Sequence, residues 1–243
     1  MTTVGIITQA RMTSTRLPGK VLLPAGSSTM LDHHLDRLCR VDLPICIATT
    51  TNSTDDPLAT LGERRGISVF RGSEDDVLSR FVGAADSLGL DVIVRVTSDC
   101  PLIDGAIVSE GVRAFLQGDN PWLYVSNALR RTFPRGMDFE VFSMMALRHA
   151  DHNATEAYQR EHVTPYFYQR IDPRTRLENI ANATNQSKYR LTLDTPEDYK
   201  LLRCLIENYN AAELPVASLV AILTSHPKLS AINGHIEQKK LGE

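Results

Sequence analysis

Nothing in the chain is long and apolar enough to span a membrane, because no hydrophobic run approaches the ~20 residues a bilayer requires. Also missing ahead of the first strand-like stretch at Val4 are the basic segment, apolar core and cleavage site of a secretory leader. The expectation is a cytoplasmic protein with no membrane partner. Cysteine is sparse and scattered: Cys39, Cys46, Cys100 and Cys204 form no C-x-x-C pair and have no histidine at zinc-finger spacing. A zinc site or a disulfide framework is therefore not expected, and the thiols read as reduced. An excess of positive charge is lacking too, since 26 Lys+Arg against 29 Asp+Glu leave a formal net charge of -3. No global field holds a nucleic-acid backbone, so any basic patch acts locally. With 14 Gly, 12 Pro, 42% hydrophobic and 23% charged residues, the chain is neither collagen-like, low in complexity nor wholly disordered. Its 243 residues suffice for one large α/β domain with a substantial core.

Short apolar runs at Val4 to Thr8, Ile45 to Thr49, Ile67 to Phe70 and Val92 to Thr97 read as buried strands. Helical patterns separate them: Leu31, Leu35 and Leu38; Leu58 to Arg65 behind an acidic start with Pro57; and Val77 to Ala85 behind Ser73 to Asp76. The order β-α-β-α-β-α-β predicts a mostly parallel, doubly wound sheet with right-handed crossovers. After a helix near Asp104 to Leu116, Trp122 to Ser126 and Met137 to Phe142 read as strands around a basic loop at Arg130 to Gly136. Helices near Met144 to Ala150 and Glu156 to Tyr168 follow, then a strand at Tyr189 to Asp194 and helices at Pro196 to about Asn208 and near Val216 to Thr224. Beyond Pro227 no pattern is legible. The whole is read as one domain, residues 1–243, with a middle insertion at about 120–185.

In open parallel sheets the loop after the first strand is a usual place for a phosphate grip. Here Arg11, Arg16 and Lys20 lie within ten residues, with hydroxyls between them and a Pro18-Gly19 turn. Ser14 and Val21 break the P-loop pattern, and no G-x-G-x-x-G occurs. Side chains must therefore do the holding: Arg16 suits paired hydrogen bonds to a phosphate and Lys20 a compact point charge. Asp99 and Asp194 directly follow predicted strands and so project from the same rim. Two carboxylates plus substrate phosphates suit Mg²⁺. Glu197 and Asp198, behind Thr195 and Pro196, read as first-turn acids of a helix.

Ala10-Arg11 followed by Ser14 to Lys20 (STRLPGK) resembles the signature of the cytidylyltransferases that make CMP-activated sugar acids, such as the 3-deoxy-manno-octulosonate cytidylyltransferases. It most resembles the spore-coat polysaccharide biosynthesis F group of that superfamily. The likeness continues through Arg95 to Asp104 (RVTSDCPLID), Pro134 to Phe142 (PRGMDFEVF), Arg160 to Tyr166 (REHVTPY) and Leu193 to Asp198 (LDTPED). It implies a Rossmann-like nucleotidyltransferase fold, CTP as donor and Mg²⁺ as cofactor held by Asp99 and Asp194. Ala10, Arg11, Ser14, Arg16, Lys20 and Ser98 are placed on the nucleotide, with Thr49, Arg71 and Ser73 as base contacts, although turn and cap chemistry explains those last three equally well. Ser98-Asp99-Cys100-Pro101 stands where the octulosonate enzymes usually show Gly-Asp-Glu-Pro, which favours the spore-coat-like branch.

The acceptor is expected in the middle insertion. Arg130, Arg131 and Arg135 suit a carboxylate, phosphate or phosphonate, and Asp138 and Glu140, two apart on a predicted strand, share a face for hydroxyls or a second metal. Glu161 and His162, at the start of a helical segment, could orient the acceptor, with a core or capping role the competing reading for His162. Related enzymes are often dimers through this region, so a homodimer is expected, with Trp122, Tyr124, Phe133, Phe139 and Phe142 mostly in the core. The leading expectation is transfer of CMP from CTP to a sugar acid, amino sugar or phosphonate with release of pyrophosphate. The rivals are a glycosyltransferase, against which the missing Asp-x-Asp motif weighs, and a non-catalytic nucleotide-binding subunit.

Overall fold

The computed structural model describes residues 2–238. In chain order it contains β1 (Val4–Gln9), a minor antiparallel hairpin β2 (Pro24–Ala25) and β3 (Ser28–Thr29), α1 (Met30–Cys39), β4 (Ile45–Thr50), α2 (Asp56–Arg65), β5 (Ser68–Gly72), α3 (Val77–Ser87), β6 (Val92–Thr97) and α4 (Gly105–Gln117). Then come β7 (Leu123–Ser126), β8 (Glu140–Ser143), α5 (Met144–Asn153), α6 (Ala157–His162), α7 (Pro165–Tyr168), β9 (Arg176–Asn179), α8 (Pro196–Tyr209), α9 (Val216–Ser225) and α10 (Pro227–Ser230).

One seven-stranded sheet runs in the order β5-β4-β1-β6-β8-β7-β9, with β8 alone opposed to its neighbours. Every residue of β4 is buried, as a strand covered on both faces requires. Alternation along the strands splits the core in two. Ile6, Ile47 and Val94 join Leu31, Leu35 and Leu58 on one face, while Ile7, Cys46 and Ile93 join Phe81, Leu147 and Phe167 on the other. Tyr124, Phe133, Phe139 and Phe142 are core residues and Trp122 packs partly buried beside them. From β1 the chain steps outward through β4 and β5, then crosses to β6 on the other side of β1. The strand order therefore reverses between β1 and β6, and a crevice opens there at the carboxyl ends of the strands.

Four expectations are corrected. Tyr189 to Asp194 is extended but is not a strand: its one bridge pairs Arg190 with Arg135. That bridge is made by Arg135 N to Tyr189 O at 3.0 Å and Leu191 N to Arg135 O at 2.7 Å, and Leu193 N donates to Asp99 O at 2.7 Å, so the segment is laced across loops at the end of the sheet. The strand expected from Met137 begins only at Glu140, because the Asn127 side chain serves the backbone before it, donating to Met137 O at 2.6 Å and accepting from Phe139 N at 3.2 Å. The helix expected over Glu156 to Tyr168 breaks at Val163. Finally, β9 was not anticipated, since its sequence RLEN is an exposed edge with no apolar alternation.

Candidate active site at the sheet crevice

The loop after β1 is held from below. Met12 N donates to Asp55 Oδ1 at 2.8 Å, and Gly19 N to Met12 O at 3.0 Å. Gly19 takes φ +65°, a left-handed conformation that glycine adopts without a Cβ penalty. A short 3₁₀ turn at Lys20–Leu22 follows and turns Lys20 back over the crevice. There the Lys20 ammonium lies 2.8 Å from Asp194 Oδ1 and 3.5 Å from Asp99 Oδ2, and Arg16 Nη2 lies 3.3 Å from Asp194 Oδ2. The two distant acids and the two cations thus meet at one point.

What brings Asp99 to Asp194 is backbone lacing. Asp99 O accepts from Leu193 N and also from the Thr192 hydroxyl at 3.1 Å. Thr97 Oγ1 donates to Asp99 Oδ1 at 2.5 Å. Behind this loop, fully buried His34 bonds Cys100 O at 2.8 Å through Nδ1 and Thr8 Oγ1 at 2.9 Å through Nε2. A carbonyl only accepts, so Nδ1 carries the proton and Nε2 accepts from the threonine hydroxyl. Burial outweighs the carbonyl and Asp99, and lowers the His34 pKa to about 4.

Burial opposes charge on both sides of the Lys20 to Asp99 contact, yet the pairing prevails. Lys20 is raised above the ordinary lysine value by Asp99 and Asp194, and Asp99 is lowered by Lys20 and Thr97. The Cys100 thiol is pushed well above its ordinary value by burial and the Asp99 charge, so it stays protonated. Among the described residues no group of three or more His, Cys, Asp or Glu is arranged to hold a metal ion. The Asp99 and Asp194 pair nevertheless suits a hard divalent cation that takes further oxygens from a phosphate. Lys20 demonstrates the fit, because a single cationic nitrogen already reaches both carboxylates.

Other expected residues lie at varied distances from this point in function. Ala10 and Ser98 sit at the tips of β1 and β6, where their amides extend the ladder to Ala48 O at 3.2 Å and Gln9 O at 3.1 Å. Ser14 is half-buried within the first loop. Arg11 is half-exposed and 3.6 Å from Glu74. Thr49 is corrected: it is fully buried and donates to Asp55 Oδ2 at 3.1 Å, so it offers nothing to a base. Arg71 is engaged by Thr50 O and Asn52 O, both at 2.8 Å, and by Asp56 at 2.7 Å. The exposed Ser73 hydroxyl accepts from Asp76 N at 3.0 Å.

In the middle segment, Asp138 and Glu140 do not act as a pair. Asp138 precedes β8 and faces a two-pronged contact from Arg131, while Glu140 accepts from Arg95, from Tyr124 Oη at 2.6 Å and from Thr164 Oγ1 at 2.6 Å. Three donors thus engage Glu140 where it stands, two on Oε1 and one on Oε2. Arg130 is exposed and its amide donates to Asn179 Oδ1 at 2.7 Å. Arg135 differs from paired Arg131 and from exposed Arg130. It is half-buried, makes no side-chain ion pair among the described residues, and lies in the fields of Arg131, Asp138, Arg190 and Asp194, with burial the largest influence lowering its pKa.

Glu161 and His162 end α6 instead of beginning a helix, and Glu161 is exposed. His162 is half-buried and lowered by burial and by Arg95 and Arg11, against Glu161, so its imidazole is neutral at pH 7. Val163 follows at φ +68°, ψ -55°, with Thr164 N donating to His162 O at 2.7 Å. This is the rare, strained γ-turn, on a β-branched residue.

Sequence reasoning missed Arg190, Arg80 and Arg95. Arg80 and Arg95 carry buried Nε atoms without a partner among the described residues. Arg95 interrupts the apolar strand VIVRVT, a visible signal, whereas Arg80 sits on an otherwise ordinary helix.

Comparison with known proteins agrees with this geometry. Residues 5–220 match the family described as Cytidylyltransferase. The spore coat polysaccharide biosynthesis protein SpsF of Bacillus subtilis is 35% identical over 240 residues, covering 93% of this chain and 96% of that protein. The solved structure of a cytidylyltransferase from Leptospira borgpetersenii serovar Hardjo-bovis superposes with a TM-score of 0.89 at 36% identity, covering 99% of this chain and 100% of that one. CMP:2-keto-3-deoxy-manno-octonic acid synthetase, solved in complex with CTP, shares the fold at a TM-score of 0.62 and 16% identity, covering 84% and 98%. A nucleotidyltransferase fold with its acids and cations at the β1 to β6 switch point, matched along most of its length, belongs to the cytidylyltransferase family of enzymes.

Proposed function

We infer that the chain transfers CMP from CTP to an oxygen of an anionic acceptor, with release of pyrophosphate and dependence on Mg²⁺. One observation carries this reading: Lys20 and Arg16, from the first loop, share a crevice with Asp99 and Asp194. Arg11, Arg16 and Lys20 bind the triphosphate, Arg16 as a fork and Lys20 as a point charge. Asp99 and Asp194 would hold the metal, which when bound stabilises charge on the phosphate oxygens and the departing pyrophosphate. The nucleophile is the acceptor's own oxygen, because the one cysteine in the crevice is buried and protonated and no Ser/His/Asp arrangement was found in the sequence.

Arg135 favours an acceptor carrying a carboxylate, phosphate or phosphonate, since its half-buried guanidinium has no ion-pair partner among the described residues. His162 and Glu161, near Arg95 and Arg11, would serve the same acceptor, with neutral His162 orienting a hydroxyl. The name of the Bacillus subtilis relative supports a sugar acid or amino sugar made for a polysaccharide, and the synthetase solved with CTP supports that donor. The same reading includes a cytoplasmic homodimer through the middle segment, where exposed Ile171 and Leu177 flank and occupy the edge strand β9.

The test is a pyrophosphate-release screen of the four nucleoside triphosphates against sugar acids, amino sugars and phosphonates, with Mg²⁺ varied. CTP should be preferred, and Asp99→Asn should lose about 10²-fold or more in turnover. Near-full activity of Asp99→Asn, or release of a nucleoside diphosphate from a sugar donor instead, overturns the reading.

A further inference from the structure

Asp194 has a second neighbour besides the first loop. Arg190, with a side chain 6% exposed, donates from Nη2 to Asp194 Oδ2 at 3.1 Å. The same guanidinium grips Asp198 through Nε at 2.8 Å and Nη2 at 2.9 Å, and its Nη1 donates to Gln238 Oε1 at 2.8 Å. Asp198 was read from the sequence as a first-turn acid of α8, and it does complete a capping box with Thr195. It is also fully buried, and its two oxygens collect Arg190 Nε and Nη2, Asp194 N at 3.0 Å, Thr195 N at 3.1 Å and Asn233 Nδ2 at 2.8 Å. Asn233, 1% exposed and beyond α10, ties the set to the C-terminal segment by donating also to Arg190 O at 3.1 Å.

The charges explain why two residues are needed. Arg190 alone would neutralise Asp194 and compete with any other cation for it. Paired with Asp198, the guanidinium is already balanced, so it can orient Asp194 Oδ2 by a hydrogen bond while most of the Asp194 charge stays available at Oδ1. Lys20 and Arg16 differ in kind. They come from the loop after β1, with side chains 32% exposed for Arg16 and 13% for Lys20, and both border the crevice in which a phosphate would compete with Asp194 for them. Arg190 is held more tightly, because its Nε and Nη2 are committed to buried Asp198 and Asp194 and its Nη1 to exposed Gln238.

We propose that Arg190, balanced by Asp198 and braced by Asn233, is a positioning residue that presents Asp194 to the divalent cation, so that the C-terminal segment beyond α9 sets the quality of the metal site. This rests on the assignment of Asp194 as a metal ligand. Outer-sphere partners of this kind typically change metal affinity or activity by about 10–100-fold when altered.

The test reads Mn²⁺ directly, by electron paramagnetic resonance of the full chain with α,β-methylene-CTP, which needs neither acceptor nor turnover. Arg190→Lys keeps the charge but loses the fork, and should weaken Mn²⁺ binding about 10-fold. Asp198→Asn leaves Arg190 unbalanced beside Asp194 and should weaken it further. Asn233→Ala, the mildest change, should weaken it several-fold and decides the matter if the other two fail to fold. In pyrophosphate release, the Mg²⁺ concentration for half-activity should rise by the same factors while the KM for CTP at saturating Mg²⁺ moves little. Leu219→Ala, a core change in α9, should lower thermal stability without altering Mn²⁺ binding. Unchanged Mn²⁺ affinity in folded Asn233→Ala and Arg190→Lys overturns the positioning role alone. A wild-type chain that binds no Mn²⁺ with the nucleotide overturns the metal-site assignment and this inference with it.

Discussion

Replacing Lys20 with Met removes the cation that both carboxylates share while keeping an unbranched side chain of similar length. Lys20 is 13% exposed, 2.8 Å from Asp194 and 3.5 Å from Asp99. Asp194 keeps Arg190 and Arg16, but Asp99 loses the one cation within ion-pair distance of it among the described residues. Breaking one partner out of a buried pair usually costs about 3–5 kcal/mol, and the remaining arginines put this change at the low end, about 3 kcal/mol. Turnover should fall about 10²–10³-fold, equivalent to about 3–4 kcal/mol of lost charge stabilisation at the phosphates.

The pH dependence separates this pair from ordinary packing. Asp99 is lowered below its unfolded value, so its contribution is present above about pH 4 and is lost as pH falls through the folded pKa. Lys20 is raised, so its contribution is full below its unfolded value near 10.5 and is lost as pH rises through the higher folded pKa. In thermal melts of the protein free of nucleotide and metal, the gap between wild type and Lys20→Met should therefore be wide at pH 7 and shrink below about pH 4. A gap that is the same at pH 3 as at pH 7, or turnover within a few-fold of wild type, refutes the shared-cation account.

His34→Gln should flatten the acid limb of the stability profile. Folded His34, lowered to about 4 from 6.5, costs the native state about 3 kcal/mol between pH 6.5 and 4, because the unfolded chain takes up the proton first; melts at pH 7 and 5 that fall equally in both proteins would refute this. Gly136→Ala should lose activity as well as stability, since φ is +97° and a Cβ would lie 2.5 Å from Leu191 C and O, in the backbone that carries Asp194; a drop in melting temperature with unchanged turnover would disconnect the two. At Val163, denaturant unfolding should find Gly less destabilising than Ala although Gly deletes more of the buried side chain, because only Gly relaxes the φ of +68°; the reverse order would show that the γ-turn stores no strain.

Much of the architecture was legible because it depends on local pattern. The runs VGIIT, ICIAT and VIVRVT are apolar throughout, as strands buried on both faces must be, and helical stripes between them leave few topologies open. The first loop was legible for a similar reason: three cations and a Pro-Gly turn after a buried strand have few bland explanations. The middle segment was harder. Its helices are short and broken by the turn at Val163, and its edge strand β9 has the composition of a loop. Asp138 and Glu140 looked alike two residues apart, yet one faces Arg131 and the other Arg95, Tyr124 and Thr164. Thr49 looked like a rim hydroxyl and is instead spent on Asp55.

The sequence by itself determined the alternating strands and helices and the rim on which Asp99 and the basic loop stand, because each follows from spacing within a short window, and the family likeness, which rests on five ordered motifs along the chain. Only the tertiary structure decided that Tyr189 to Asp194 is laced to Asp99 and not paired as a strand. It alone decided that Asp198 supports Arg190 from within the core and that Asn233 reaches back from the far end of the chain. An extended backbone has the same side-chain periodicity whatever accepts its hydrogen bonds, and a carboxylate at a helix start has the same signature whether it faces water or a buried guanidinium. The partner is chosen by how segments pack, across 79 and 174 residues for Lys20 with Asp99 and Asp194 and 35 for Asn233 with Asp198, and local spacing contains no record of that choice.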